Sequence, residues 1–176
     1  MEEKRPELLP EYREMSIFLN EFHSESDRGA ALVAASLLDE QLHNVLSAFF
    51  ADVPTSKDLL EGMNAPLGTL SSRLSAAYSL GLIQENEYRE INIIRRVRNE
   101  FGHKWKEIDF KTQKIHDLCM QLPWLGPDDC TESEKNDPRL RFNFEIAILA
   151  FDLIWRSVLV KQEKRQLKVW SNKIRS

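Results

Sequence analysis

The sequence has no apolar run approaching the about 18 residues that suggest a membrane helix, and it opens MEEKRPELLPEYRE, without the leader of a signal peptide. A cytoplasmic location is the expectation, with no membrane partner. Two cysteines, Cys119 and Cys130, are too few for a disulfide framework. Six glycines and seven prolines in 176 residues are about half the usual share. That leaves few of the turn residues a many-stranded sandwich or barrel requires, and points away from an all-β fold. Also missing are a phosphate-cradling glycine loop, a G-x-S-x-G elbow and a dinucleotide fingerprint, so nucleotide-dependent and hydrolase classes are disfavoured and no cofactor is called for. His116-x-x-Cys119 with Cys130, and His103 or Asp129 as a fourth ligand, supplies only half of a zinc pattern. No metal is expected, and Cys119 reads as a core residue of its helix.

What is present is ample apolar surface, 42% of residues, and 30% charged residues with a net charge of -4. The length suits one domain. Charge is distributed unevenly: residues 161–176 hold six basic residues against Glu163, a net of +5, which leaves -9 on residues 1–160. The division expected is a helical domain over 1–160 and a basic tail over 161–176. Within the tail, Lys161, Lys164, Arg165, Lys168 and Trp170 combine phosphate-contacting cations with a stacking surface, a pattern suited to RNA or to an acidic partner face.

Apolar residues recur at helical spacing along most of the chain. The pattern predicts a first helix from Pro10 to about His23 and a second over about 27–52, capped by Ser26 or Asp27. A short turn through Leu59 and Leu60 closes at Gly62, and a third long helix runs from about Leu67 to Leu80 with Gly81 as its C-terminal cap. A fourth covers about 84–105 and a shorter one about 110–121. Residues 123–138, with three prolines, one glycine and five acids, read as a loop. A final helix over about 139–166 carries Leu140, Phe144, Ile148, Phe151, Ile154, Trp155, Val158 and Leu159. The fold class is therefore all-α, a single-domain bundle of five or six helices, with the second, fourth and last long helices forming the core.

The segment 84–105 carries the chemistry. Its apolar stripe runs Tyr88, Ile91, Ile94, Phe101 and Trp105, with Val97 at the edge. Arg98 falls inside that stripe, where a guanidinium requires an acidic partner, a subunit boundary or a cleft. Asp39 or Glu40 on the second helix could pair with it; Arg73 could instead reach one of these acids or lend a second cation to the cleft. Arg98, Asn99 and His103 form a candidate catalytic group: the arginine stabilises charge on a phosphoryl oxygen while the histidine moves a proton. Residues five apart on a straight helix point about 140° away from each other. Distortion at Gly102 or a two-fold dimer would be needed to bring Arg98 and His103 together, whereas Asn99 and His103 share a face. The stretch Thr69 to Gln84 holds one basic residue, Arg73, so direct DNA reading is not expected.

RGAALVAASLLDEQL (28–42), NAPLGTLSSRLSAAYSLGLI (64–83) and EYREINIIRRVRNEFGH (87–103) together resemble the mannitol repressor family of small helical bacterial proteins, over about 28–122. RNEFGH also resembles the R-N-x-x-x-H signature of HEPN domains, helical modules that include metal-independent endoribonucleases and toxins. The first resemblance implies a transcriptional regulator that acts through a protein partner rather than by binding DNA. The second implies a homodimer with Arg98 and His103 as catalytic pair, Asn99 as polar neighbour, and RNA or an antitoxin as partner.

Overall fold

The structure, a computed structural model, describes residues 10–103 and 108–171, and among these no strand occurs. The helices are α1 (Pro10–Phe22), α2 (Asp27–Phe49), α3 (Pro54–Leu60), α4 (Leu70–Ser79), α5 (Glu85–His103), α6 (Gln113–Cys119), α7 (Glu132–Lys135) and α8 (Pro138–Val160), followed by a 3-10 turn at Lys161–Glu163. The all-α expectation holds, with short helices in addition to the five long ones.

Helix α2 is the centre, and α8, α5 and α4 pack around it. Its alanines 30, 31, 34 and 35 are buried and let neighbouring backbones approach, while Leu38, Leu42, Val45 and Leu46 fill the interior. Burying each such leucine stabilises the fold by roughly 1.5–3 kcal/mol. Ser26 caps α2 by accepting from the Gly29 N–H at 3.1 Å. The helix ends at Phe49, three residues before the expected limit, because the chain turns extended at Phe50. Gly62 and Gly81 have φ of 107° and 71°, and these positive values close α3 and α4 at the positions the glycines mark.

Packing of α5 corrects the apolar stripe. Ile91, Ile94, Val97 and Phe101 are its fully buried residues, and Arg98 is exposed. Val97 takes the slot assigned to Arg98 because the buried face continues in steps of three and four around the helix. Trp105 lies outside the described residues. Phe101, Phe110 and Phe142 form a ring chain with centroids 5.2 and 5.0 Å apart, which ties α5, the turn before α6 and α8 together.

The 123–138 segment is not wholly loop. Thr131 and Glu134 form a capping box that starts α7. Trp124 packs against Phe144 at 5.4 Å, and Arg141 donates to the Leu122 and Lys135 carbonyls at 2.8 and 2.7 Å. Helix α8 stops at Val160 rather than 166, since KQEKRQ offers no apolar face to pack and packing supplies most helix stability. Ile148, Trp155, Val158 and Leu159 are 38–48% exposed, so that part of the expected core faces outward. No helix among the described residues is long and apolar enough to cross a membrane.

Candidate functional site

Helices α2 and α5 and the start of α4 meet around an open cleft of about 440 Å³. From α2 come Ser36 and Asp39, from the α4 N-terminus Thr69 and Ser71, and from α5 Arg95, Arg98 and Asn99. The α4 wall is fixed by its cap. Thr69 accepts the Ser72 N–H and the Ser72 hydroxyl accepts the Thr69 N–H, each at 3.2 Å.

Arg73 pairs with Asp39, Nη1 to Oδ2, at 2.6 Å, and its Nη2 donates to the Leu60 carbonyl at 3.0 Å. Arg98 therefore does not take Asp39, and Glu40 is exposed on another side of α2. Arg98 needs no buried counter-charge because it projects to solvent at the cleft, where its Nη1 donates to Asn99 Oδ1 at 3.3 Å. Arg95 donates to Asn92 Oδ1 through Nε at 3.3 Å and Nη2 at 3.1 Å. Among the described residues, neither Arg95 nor Arg98 has a carboxylate partner.

His103 is exposed at the last position of α5 and does not line the cleft. Gly102 neither bends nor ends the helix: its φ is not positive, and a Cβ there would meet only the Arg98 guanidinium, at 3.9 Å. Arg98 and Asn99 are thus brought together, while Arg98 and His103 stay on different faces of one unbroken helix. Cys119 is buried in α6, and burial pushes its thiol up to about 12, as suits a core residue rather than a reactive one.

In the tail, Arg165 folds back on α2. Its N–H donates to the Phe49 carbonyl at 2.7 Å and its guanidinium lies 4.9 Å from the Phe49 ring centre. Lys161, Lys164, Lys168 and Trp170 are exposed.

The sequence reading missed three polar features of the interior. Glu87 on α5 is buried and binds Arg156 of α8; Gln84-x-x-Glu87 at the helix start was its available signal. Glu145 is buried within the apolar run of α8, between Phe142 and Leu149. Arg139 holds Asp27 at 3.2 Å and sits over the Phe110 ring at 5.2 Å.

These contacts separate the cleft arginines by stability. Arg73→Ala is expected to lower the unfolding free energy by about 2 kcal/mol, since Asp39 loses a charged hydrogen bond. Arg98→Ala should stay within about 0.5 kcal/mol of the parent. Urea denaturation of the two variants side by side measures both.

A family model described as "Mannitol repressor" matches residues 19–163. The mannitol operon repressor of Escherichia coli strain K12 is 34% identical over 93 residues, which cover 50% of this chain and 47% of that protein. The same protein from strain CFT073 gives the same figures. The match therefore spans about half the length of these relatives. Among solved structures, a chain of one described as "X-ray structure of the MtlR-HPr complex from Escherichia coli" aligns with a TM-score of 0.56 and 25% identity. That alignment covers 81% of this chain and 97% of the other.

Proposed function

The chain belongs to the mannitol repressor family, and from that premise we propose that it is a cytoplasmic regulator of transcription that works by binding a protein partner of the HPr kind. The observation that carries this reading is the structural match to a chain from a complex with HPr. Support comes from the chain itself: Arg73, the one basic residue of the segment 69–84, is held by Asp39 and the Leu60 carbonyl and is not free to contact DNA. The Arg98 cleft is the functional surface in this proposal, and a homodimer and the exposed tail cations belong to it as well. Ribonuclease activity would need the His103 of a second copy beside Arg98, because the two project from different faces of α5.

Isothermal titration of the full chain with purified HPr from the same organism tests the reading. A micromolar dissociation constant is expected, weakened by about tenfold in Arg98→Ala. Absence of binding at about 100 μM of each protein would remove the partner reading.

A further inference from the structure

We propose that the cleft between α2, α4 and α5 binds a small phosphate monoester with a hydroxyl-bearing carbon skeleton, the phosphoryl group on Arg95 and Arg98 and the skeleton along the hydroxyl-bearing walls of α2 and α4. The inference goes beyond the partner reading and stands without it.

The anion end follows from charge. Arg95 and Arg98 lie three residues apart on α5, both at the cleft, and among the described residues each donates only to an asparagine of its own helix. The first 160 residues carry a net charge of -9 with these two arginines counted, so two guanidinium groups without a carboxylate are a local exception. Their planar forks match phosphoryl oxygens in geometry as well as charge. Opposite them is the start of α4, a ten-residue helix. Beyond the Ser72 N–H, which the Thr69 hydroxyl holds, its first N–H groups have no partner within the helix and add partial positive charge to the same space.

Asp39, a carboxylate of the cleft wall, is paired with Arg73, so it does not cancel the attraction of the arginine pair for an anion.

Size and lining narrow the class. A cleft of about 440 Å³ falls within the roughly 300–1,000 Å³ of small-molecule sites. Its walls hold hydroxyls from Ser36, Thr69 and Ser71 and no aromatic side chain. A nucleobase would find no ring to stack on, whereas a polyhydroxy chain finds partners.

Isothermal titration of the full chain with glucose 6-phosphate, sorbitol 6-phosphate and glycerol 3-phosphate tests the proposal, with inorganic phosphate, glucose and AMP in parallel. At least one of the three hydroxylated monoesters is expected to bind about tenfold or more tightly than inorganic phosphate and AMP, with glucose silent. The double variant Arg95→Gln/Arg98→Gln should weaken that binding by about 100-fold with an unchanged melting temperature. Inorganic phosphate or AMP binding as tightly, no binding by any monoester at about 10 mM, or binding indifferent to the double substitution overturns the proposal. None of these outcomes depends on whether HPr binds.

Discussion

Arg156→Ala is expected to lower the unfolding free energy by about 3 kcal/mol, and the melting temperature by roughly 6–12 °C for a chain of this size. Arg156 Nη2 meets Glu87 Oε1 at 2.9 Å, and Nη1 donates to the Leu82 carbonyl at 3.1 Å. Glu87 is 3% exposed, and its second oxygen accepts the Gln84 N–H at the start of α5. Without the guanidinium, that carboxylate stays buried with a single backbone donor. The α5 dipole favours a negative charge at this end, but only by a fraction of what the pair supplies. Thermal and urea unfolding of the variant measure the loss. The double variant Glu87→Gln/Arg156→Met should recover most of it, because no orphan charge remains. A loss under about 1 kcal/mol in Arg156→Ala would mean that solvent reaches Glu87 and that the pair behaves as a surface contact.

Glu145→Gln has the opposite sign. Glu145 is fully buried on α8, where its carboxyl meets that of Glu90 and, when protonated, can donate to it. Burial, and then the charge of Glu90 on α5, push its carboxyl up from 4.5 to about 8. Glu90 itself is raised, chiefly by burial. Below about pH 4.5 Glu145 is protonated in both the folded and the unfolded chain. As pH rises from there to about 8, the unfolded chain ionises while the folded one holds its proton, so stability falls across that window and levels off above it. An amide has no proton to lose. Glu145→Gln should therefore gain about 2 kcal/mol at pH 7, roughly 4–8 °C, with little gain near pH 4.5. Urea titrations at pH 5 and pH 8 read the difference directly. An equal gain at both would assign the effect to packing rather than to the proton.

Local signals in the sequence located most of the fold. Ser26 before an apolar run, Gly62 and Gly81 after one, and the alanine and leucine spacing of α2 each act within a few residues, and each is found where it was expected. Arg98 was misplaced for a geometric reason. Val97 and Arg98 lie about 100° apart, and the sequence pattern alone does not say which way α5 rolls onto α2. The pairing of Arg73 with Asp39 was anticipated as one of several options, but the choice depended on how α4 crosses α2. Arg156 and Glu87 are 69 residues apart, and no periodicity links them. The Thr131-x-x-Glu134 box of α7 was present in the sequence and was hidden by the prolines and acids around it.

The central position of α2 has a consequence for how the molecule opens. Its buried side chains cover about half of its circumference and face α4, α5 and α8, so the amide protons on that side of α2 meet water only when the bundle as a whole comes apart. Helix α7 has no buried residue, and α3 has one, Leu60. Those two can fray and reclose while α2 stays shut, which gives the chain a graded hierarchy of hydrogen exchange with α2 as its slowest element.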